Sequence, residues 1–193
     1  MVLLDGFYRD IALMQRQICQ SEQRYHFLRY GYIHLKDCVP SMFQKNTKAY
    51  QNEIYEALTP CMTYLYTKEL SQDPKGMREI QNTTEESSSS DCYVWLVQCD
   101  ECKVLLWPRF TFPSNKYFSN LHTWFKKKFT QIYPPTPIET SKGSLLIFTR
   151  RSPVMIKSRS YGPIIEYAFR KTKQEIGKTS PLSFSSKIET PTT

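Results

Sequence analysis

Cys99 and Cys102 stand three apart in "QCDECK", the spacing at which two thiols can grip one face of a tetrahedral zinc or close a redox disulfide. Zinc needs four ligands, and only Cys92 and His122 lie near enough in sequence to complete the set. A redox pair is expected at the start of a helix in a βαβ unit, whereas this motif joins two strand-like runs. The two thiols are therefore read as ordinary cysteines at the ends of a hairpin, and no metal or other cofactor is expected. His34 and Cys38, four apart, with Cys19 and His26 upstream, could be drawn as a helical metal site. Small buried thiols and a half-buried imidazole on amphipathic segments account for them better. Glu53 with Glu56, and Glu85 with Glu86, lie on polar stretches where nothing would raise a carboxyl pKa for acid–base work. The sequence has no nucleophile elbow, phosphate-binding glycine loop, zinc-protease helix or kinase signature. A non-enzymatic chain is the expectation.

Basic residues give a stronger signal. The net charge of +8 lies wholly in the second half: residues 1–90 hold 10 Lys and Arg against 11 Asp and Glu, and residues 91–193 hold 16 against 7. Lys126, Lys127, Lys128, Arg150, Arg151, Lys157 and Arg159, with Arg170, Lys171 and Lys173 beyond, come from three consecutive predicted elements. If they converge, they would offer one surface to phosphate backbones or to an acidic protein.

The elements that would carry these groups follow from periodicity. Ile11, Met14, Ile18, Tyr25 and Leu28 predict an amphipathic helix from Phe7 to about Tyr30. A second is predicted after Ser41, with Tyr50, Ile54, Leu58 and Leu65 on one stripe and Pro60 kinking or splitting it. Residues 71–91, with an acidic pair and four consecutive serines, have the composition of a mobile connector. "CYVWLVQC" and "CKVLLWPRFTF" predict a hairpin, "NLHTWFKKKFTQIY" a helix, "GSLLIFTRR" and "SPVMIKSR" two strands, and "YGPIIEYAFRKTKQEIG" a closing helix. The fold class is α+β: a helical region over 1–70, a linker over 71–91, an antiparallel sheet domain with a basic surface over 92–177, and a disordered tail over 178–193. The opening residues lack the basic leader and long apolar core of a signal peptide, no window is apolar enough to span a membrane, and six scattered cysteines suit reduced thiols. A soluble nuclear or cytoplasmic chain is expected.

At "NLHTWFKKKFTQIYPPTPI" and "VMIKSRSYGPIIEYAFRK" the sequence resembles the carboxy-terminal domain of the centromere protein L and centromere protein N family, through Trp124, Phe125, Phe129, Lys157 and Tyr161. The resemblance covers residues 93 to about 173. It implies a non-enzymatic inner-kinetochore subunit: a hetero-oligomer in which one sheet edge pairs with a sister protein while a basic groove faces DNA or a nucleosome. The rival expectation is an accessory factor, viral or otherwise, that binds an acidic host protein without nucleic acid.

Overall fold

Three apolar runs, β3 (Cys92–Val97), β6 (Leu145–Thr149) and β8 (Ile164–Lys171), form the centre of a five-stranded sheet. Two further strands, β1 (Tyr32–Leu35) and β2 (Leu70–Ile80), complete it in the order β1-β6-β3-β8-β2. A smaller sheet has the order β5-β4-β7, from β4 (Cys102–Leu106), β5 (Thr136–Thr140) and β7 (Val154–Arg159). All pairings are antiparallel. The computed structural model describes residues 2–45, 49–80, 90–107, 134–150, 152 and 154–172.

The central strands are buried on both faces, which is why β3 and β6 are apolar at nearly every position. One face of the large sheet carries Ile33, Val94, Leu96, Ile147, Ile165 and Tyr167, and these pack with the helices. The other face carries Tyr93, Trp95, Leu146, Phe148, Ile164 and Ala168, which meet Val104, Leu106 and Ile138 of the small sheet. The result is a three-layer α+β architecture: helices, large sheet, small sheet. From β3 onward the chain crosses between the sheets at β3–β4, β5–β6, β6–β7 and β7–β8, as in a double-sheet jelly roll.

The helices are α1 (Val2–Ile18), α2 (Ser21–Tyr30), α3 (Ser41–Lys45) and α4 (Gln51–Tyr66). The single helix expected from Phe7 to Tyr30 is two, because Gln20 is extended at the start of α2. Gly31 ends α2 in the left-handed region at φ 80°, its N–H bonded to the Phe27 carbonyl at 2.8 Å. The turn delivers the chain straight into β1. α4 runs through Pro60 without a break and buries Ile54, Leu58, Met62 and Leu65.

Three other expectations are corrected. "CYVWLVQC" and "CKVLLWPRFTF" are strands but not a hairpin, since β3 pairs with β6 and β8 while β4 pairs with β5 and β7. Residues 71–80, expected in a connector, belong to β2, whose apolar ends Leu70 and Ile80 are buried. "IIEYAFRK" is β8 rather than a helix; its apolar residues bury both faces, a run that imitates a helix in sequence. The predicted helix around residues 119–132 and the tail over 178–193 lie outside the described residues.

A row of paired positions crosses the large sheet on its inter-sheet face: Arg78, Glu166, Trp95, Leu146 and His34. Glu166 is buried there and uses both oxygens, accepting from Arg78 Nε at 2.6 Å and from Trp95 Nε1 at 2.8 Å. Glu166→Ala would leave the indole N–H unpaired and the guanidinium half-stranded. Arg78 is 35% exposed and can rehydrate, so the expected loss is about 2–3 kcal/mol, less than for a fully buried pair. A fall in the urea midpoint at unchanged slope would show it; an unchanged midpoint would contradict the role given to Glu166.

Candidate functional site

The two sheets diverge where β1 and β5 form their edges, and α2 closes the gap from the side. The mouth is a cavity of about 570 Å³ lined by Gln23 and His26 of α2, Tyr32, Ile33 and His34 of β1, Lys36, Lys103 of β4, and Pro137, Ile138 and Glu139 of β5. Strand alternation puts Tyr32 and His34 on the inter-sheet side, opposite Phe148 and Leu146. That is how a four-residue strand presents an imidazole to the mouth.

The two histidines differ in their hydrogen bonding. His26 Nδ1 lies 2.8 Å from the Tyr32 carbonyl oxygen, which can only accept, so Nδ1 holds the proton and Nε2 carries the lone pair in the neutral ring. His34 Nε2 is buried and has no hydrogen-bond partner among the described residues. Burial lowers the His34 pKa from its ordinary value, and the neighbouring Lys36 ammonium lowers it further. At neutral pH His34 is therefore an uncharged imidazole with an unsatisfied polar nitrogen, which costs free energy unless something binds it. Lys103 pairs with Glu139 at 3.5 Å, across β4 and β5. With Lys36 beside them, the mouth has two cations against one carboxylate and suits an anion.

The residues singled out from sequence do not assemble there. Lys126, Lys127, Lys128 and Arg151 lie outside the described residues. Arg150 follows β6, its N–H bonded to the Asp91 carbonyl, just before β7 begins. Arg159 ends β7 and donates to the Ile80 carbonyl at 2.9 Å, while exposed Lys157 sits two residues earlier. Arg150 and Arg159 are thus separated by the length of β7. Cys99 and Cys102 flank the passage from the large sheet to the small one. Cys92 belongs to the helix-side core beside Met62, so it stands apart from them. His34 and His26 are visible in the sequence as polar residues on apolar stretches, but Lys36, Lys103 and Glu139 carry no sequence signal that would join them.

No family model matches the chain, and no curated protein matches it. Solved structures do. The non-heme alpha ketoglutarate dependent epimerase SnoN from nogalamycin biosynthesis aligns with a TM-score of 0.51 at 9% identity, over 77% of this chain and 81% of that one. The carbocyclase SnoK from the same biosynthesis aligns at 0.48 and 10% identity, over 79% and 84%. A Pseudomonas putida prolyl-4-hydroxylase aligns at 0.44 and 8%, over 78% and 91%. The likeness to SnoN is one of fold. It overturns the resemblance to the centromere protein L and centromere protein N family, because the solved structure that shares this architecture is SnoN and not a centromere protein. The non-enzymatic, chromosome-associated, DNA-binding reading falls with it, and the rival accessory factor that binds an acidic host protein finds no support in it either.

A non-heme iron of the kind named for SnoN is typically held by two histidines and one carboxylate. Among the described residues no three His, Cys, Asp or Glu side chains come together as a metal-holding group. His26, His34 and Glu139 share the mouth, but two lysines line the same cavity and oppose a cation. The described donor set does not fit such an iron; His122, the remaining histidine, lies outside the described residues.

The His34 environment can be checked directly. Its NMR titration midpoint should fall below the ordinary 6.5. The folded value then lies below the unfolded one, so the His34 contribution to stability is whole above about pH 6.5 and is lost as pH falls through the folded value. His34→Gln should flatten that acid-side loss; a midpoint at or above 6.5 would contradict the burial described.

Proposed function

We propose that the chain is an enzyme acting on a small carboxylate-bearing molecule bound in the mouth between β1 and β5, with His34 as its general base. The observation that carries this reading is a neutral imidazole on the wall of a cavity where the lysines outnumber the carboxylate, its buried Nε2 without a hydrogen-bond partner among the described residues. The fold likeness to an enzyme named for its dependence on an organic dicarboxylate supports the substrate class.

The residues divide the work by chemistry. Lys36 is an exposed, compact point charge that can meet a substrate carboxylate, and Lys103 can join it by swinging from Glu139. Binding the anion removes the obstacle that Lys36 places before a protonated His34, because the carboxylate cancels the ammonium's field. Once a turn of the His34 ring brings its buried Nε2 to the cavity, it can accept a proton from the carbon next to a carbonyl, and Lys36 steadies the negative charge that develops. Gln23 and His26 line the α2 wall, where the Nε2 lone pair of His26 can accept a donor on the substrate. This is enolisation chemistry: the C–H bond breaks, the proton passes to His34, and the electron pair moves to the carbonyl oxygen.

Deuterium wash-in at C3 of a panel of 2-oxo acids, followed by NMR, tests it. The chain should accelerate exchange of at least one member. His34→Gln should lower that rate by about 10²–10⁴-fold, the usual share of a positioned base, and Lys36→Ala should weaken binding more than it slows the bound step. Exchange no faster than in buffer, or equal for wild type and His34→Gln, would contradict the proposal.

A further inference from the structure

His26 stands on the α2 wall of the same mouth, and the proton transfer proposed for His34 does not consume it. Gln23 and His26 are three apart on α2 and so share the face that lines the cavity. Gly31 turns the chain from α2 directly into β1, which brings the Tyr32 carbonyl back to His26 Nδ1 at 2.8 Å. Two aromatic neighbours hold the ring as well. Tyr30 lies 4.6 Å away between centroids, tilted, and Tyr32 lies 5.0 Å away, edge to face. A flip of the imidazole would put Cδ2 where Nδ1 stands and forfeit the bond to Tyr32. The neutral ring is therefore fixed in one orientation and one tautomer.

The other nitrogen is the one left to a ligand. His26 Nε2 has no hydrogen-bond partner among the described residues, and unlike His34 Nε2 it is not buried. It is an accessible acceptor, of fixed tautomer, on a residue that lines the cavity.

We propose that His26 is a specificity-determining residue that selects, among 2-oxo acids, those carrying a hydroxyl group beyond the carbonyl carbon. The inference rests on the anion site at Lys36 proposed above and narrows its substrate class. A lone pair on a ring fixed in this way accepts from an O–H and cannot donate. A hydroxyl in its reach makes the bond, a methyl group leaves it unmade, and an ether oxygen sets lone pair against lone pair. The other polar groups of the mouth do not duplicate this choice. Lys36 and Lys103 only donate, and Gln23 can both donate and accept. Glu139 is 79% exposed and already paired with Lys103, so water competes for it. One hydrogen bond exchanged against water is worth about three- to tenfold in affinity, and because Nε2 is not sealed from solvent the preference stays at that size.

The test measures binding to the full chain by isothermal titration at about pH 8, above the ordinary range of an imidazole. Hydroxypyruvate is compared with pyruvate and methoxypyruvate, and 4-hydroxy-2-oxobutanoate with 2-oxobutanoate and the corresponding methyl ether. At least one hydroxyl-bearing acid should bind about three- to tenfold more tightly than both its parent and its ether. His26→Phe keeps an aromatic ring beside Tyr30 and Tyr32 but lacks the acceptor, and should abolish that ratio. Lys36→Ala should weaken every acid and leave the ratio intact. In nitrogen NMR spectra of the wild type the His26 proton should reside on Nδ1, and the Nε2 resonance should move further with the hydroxyl-bearing acid than with its parent.

Equal affinities within both sets, a ratio that survives His26→Phe, or a proton found on Nε2 would overturn the proposal and leave the anion site standing. Failure of every acid to bind would overturn both. Should His26→Phe not fold, the wild-type spectra decide: an Nε2 shift no larger with the hydroxyl-bearing acid than with its parent overturns the assignment.

Discussion

The structure depends on keeping one charged carboxylate between two sheets. Glu166 sits in the middle of β8 among Trp95, Ile164 and Ala168, where a lone carboxylate would be heavily penalised. It is tolerated because an indole N–H and a guanidinium arrive from the strands on either side, β3 and β2. That arrangement holds in a single register only. A slip of one residue would turn Trp95 and Arg78 to the helix face and leave Glu166 alone, so the polar trio fixes the alignment that the apolar residues leave loose. The same alignment brings His34, at the end of the row, to the inter-sheet side and so to the mouth.

The two ends of the sandwich use this frame differently. At the β1/β5 edge the core stops short at a cavity, and the His34 Nε2 there has no hydrogen-bond partner among the described residues. At the β2/β7 edge the turn after β7 folds back over the Cys99–Cys102 passage and seals it. The packed aromatic layer of Tyr93, Trp95 and Phe148 lies between the sheets.

Much of the fold was legible from composition. The helical front, the strand character of β3, β4, β6 and β7, and the α+β class followed from periodicity and β-branched runs. What failed were pairings and doubly buried strands. Asp100 and Glu101 look like a hairpin turn because sequence distance suggests pairing, yet the chain crosses to another sheet there. "IIEYAFRK" lost its alternation because both faces are covered, and Pro163 then imitated a helix start. β2 was hidden by the polar excursion at 73–76, where the register shifts between Gln72 and Met77. The mouth was illegible for a plainer reason: His26, His34, Lys103 and Glu139 come from four elements, and only tertiary structure gathers them. The lysine run that dominated the sequence reading lies outside the described residues.

The most direct measurement is a crystal structure of the full chain soaked with a small 2-oxo dicarboxylate. A carboxylate against Lys36 Nζ, with the adjacent carbon facing His34 Nε2, is the predicted result. Ligand seated instead against Arg159 at the β2/β7 edge, or a β1/β5 mouth that stays free of ligand at saturating concentration, would contradict the account.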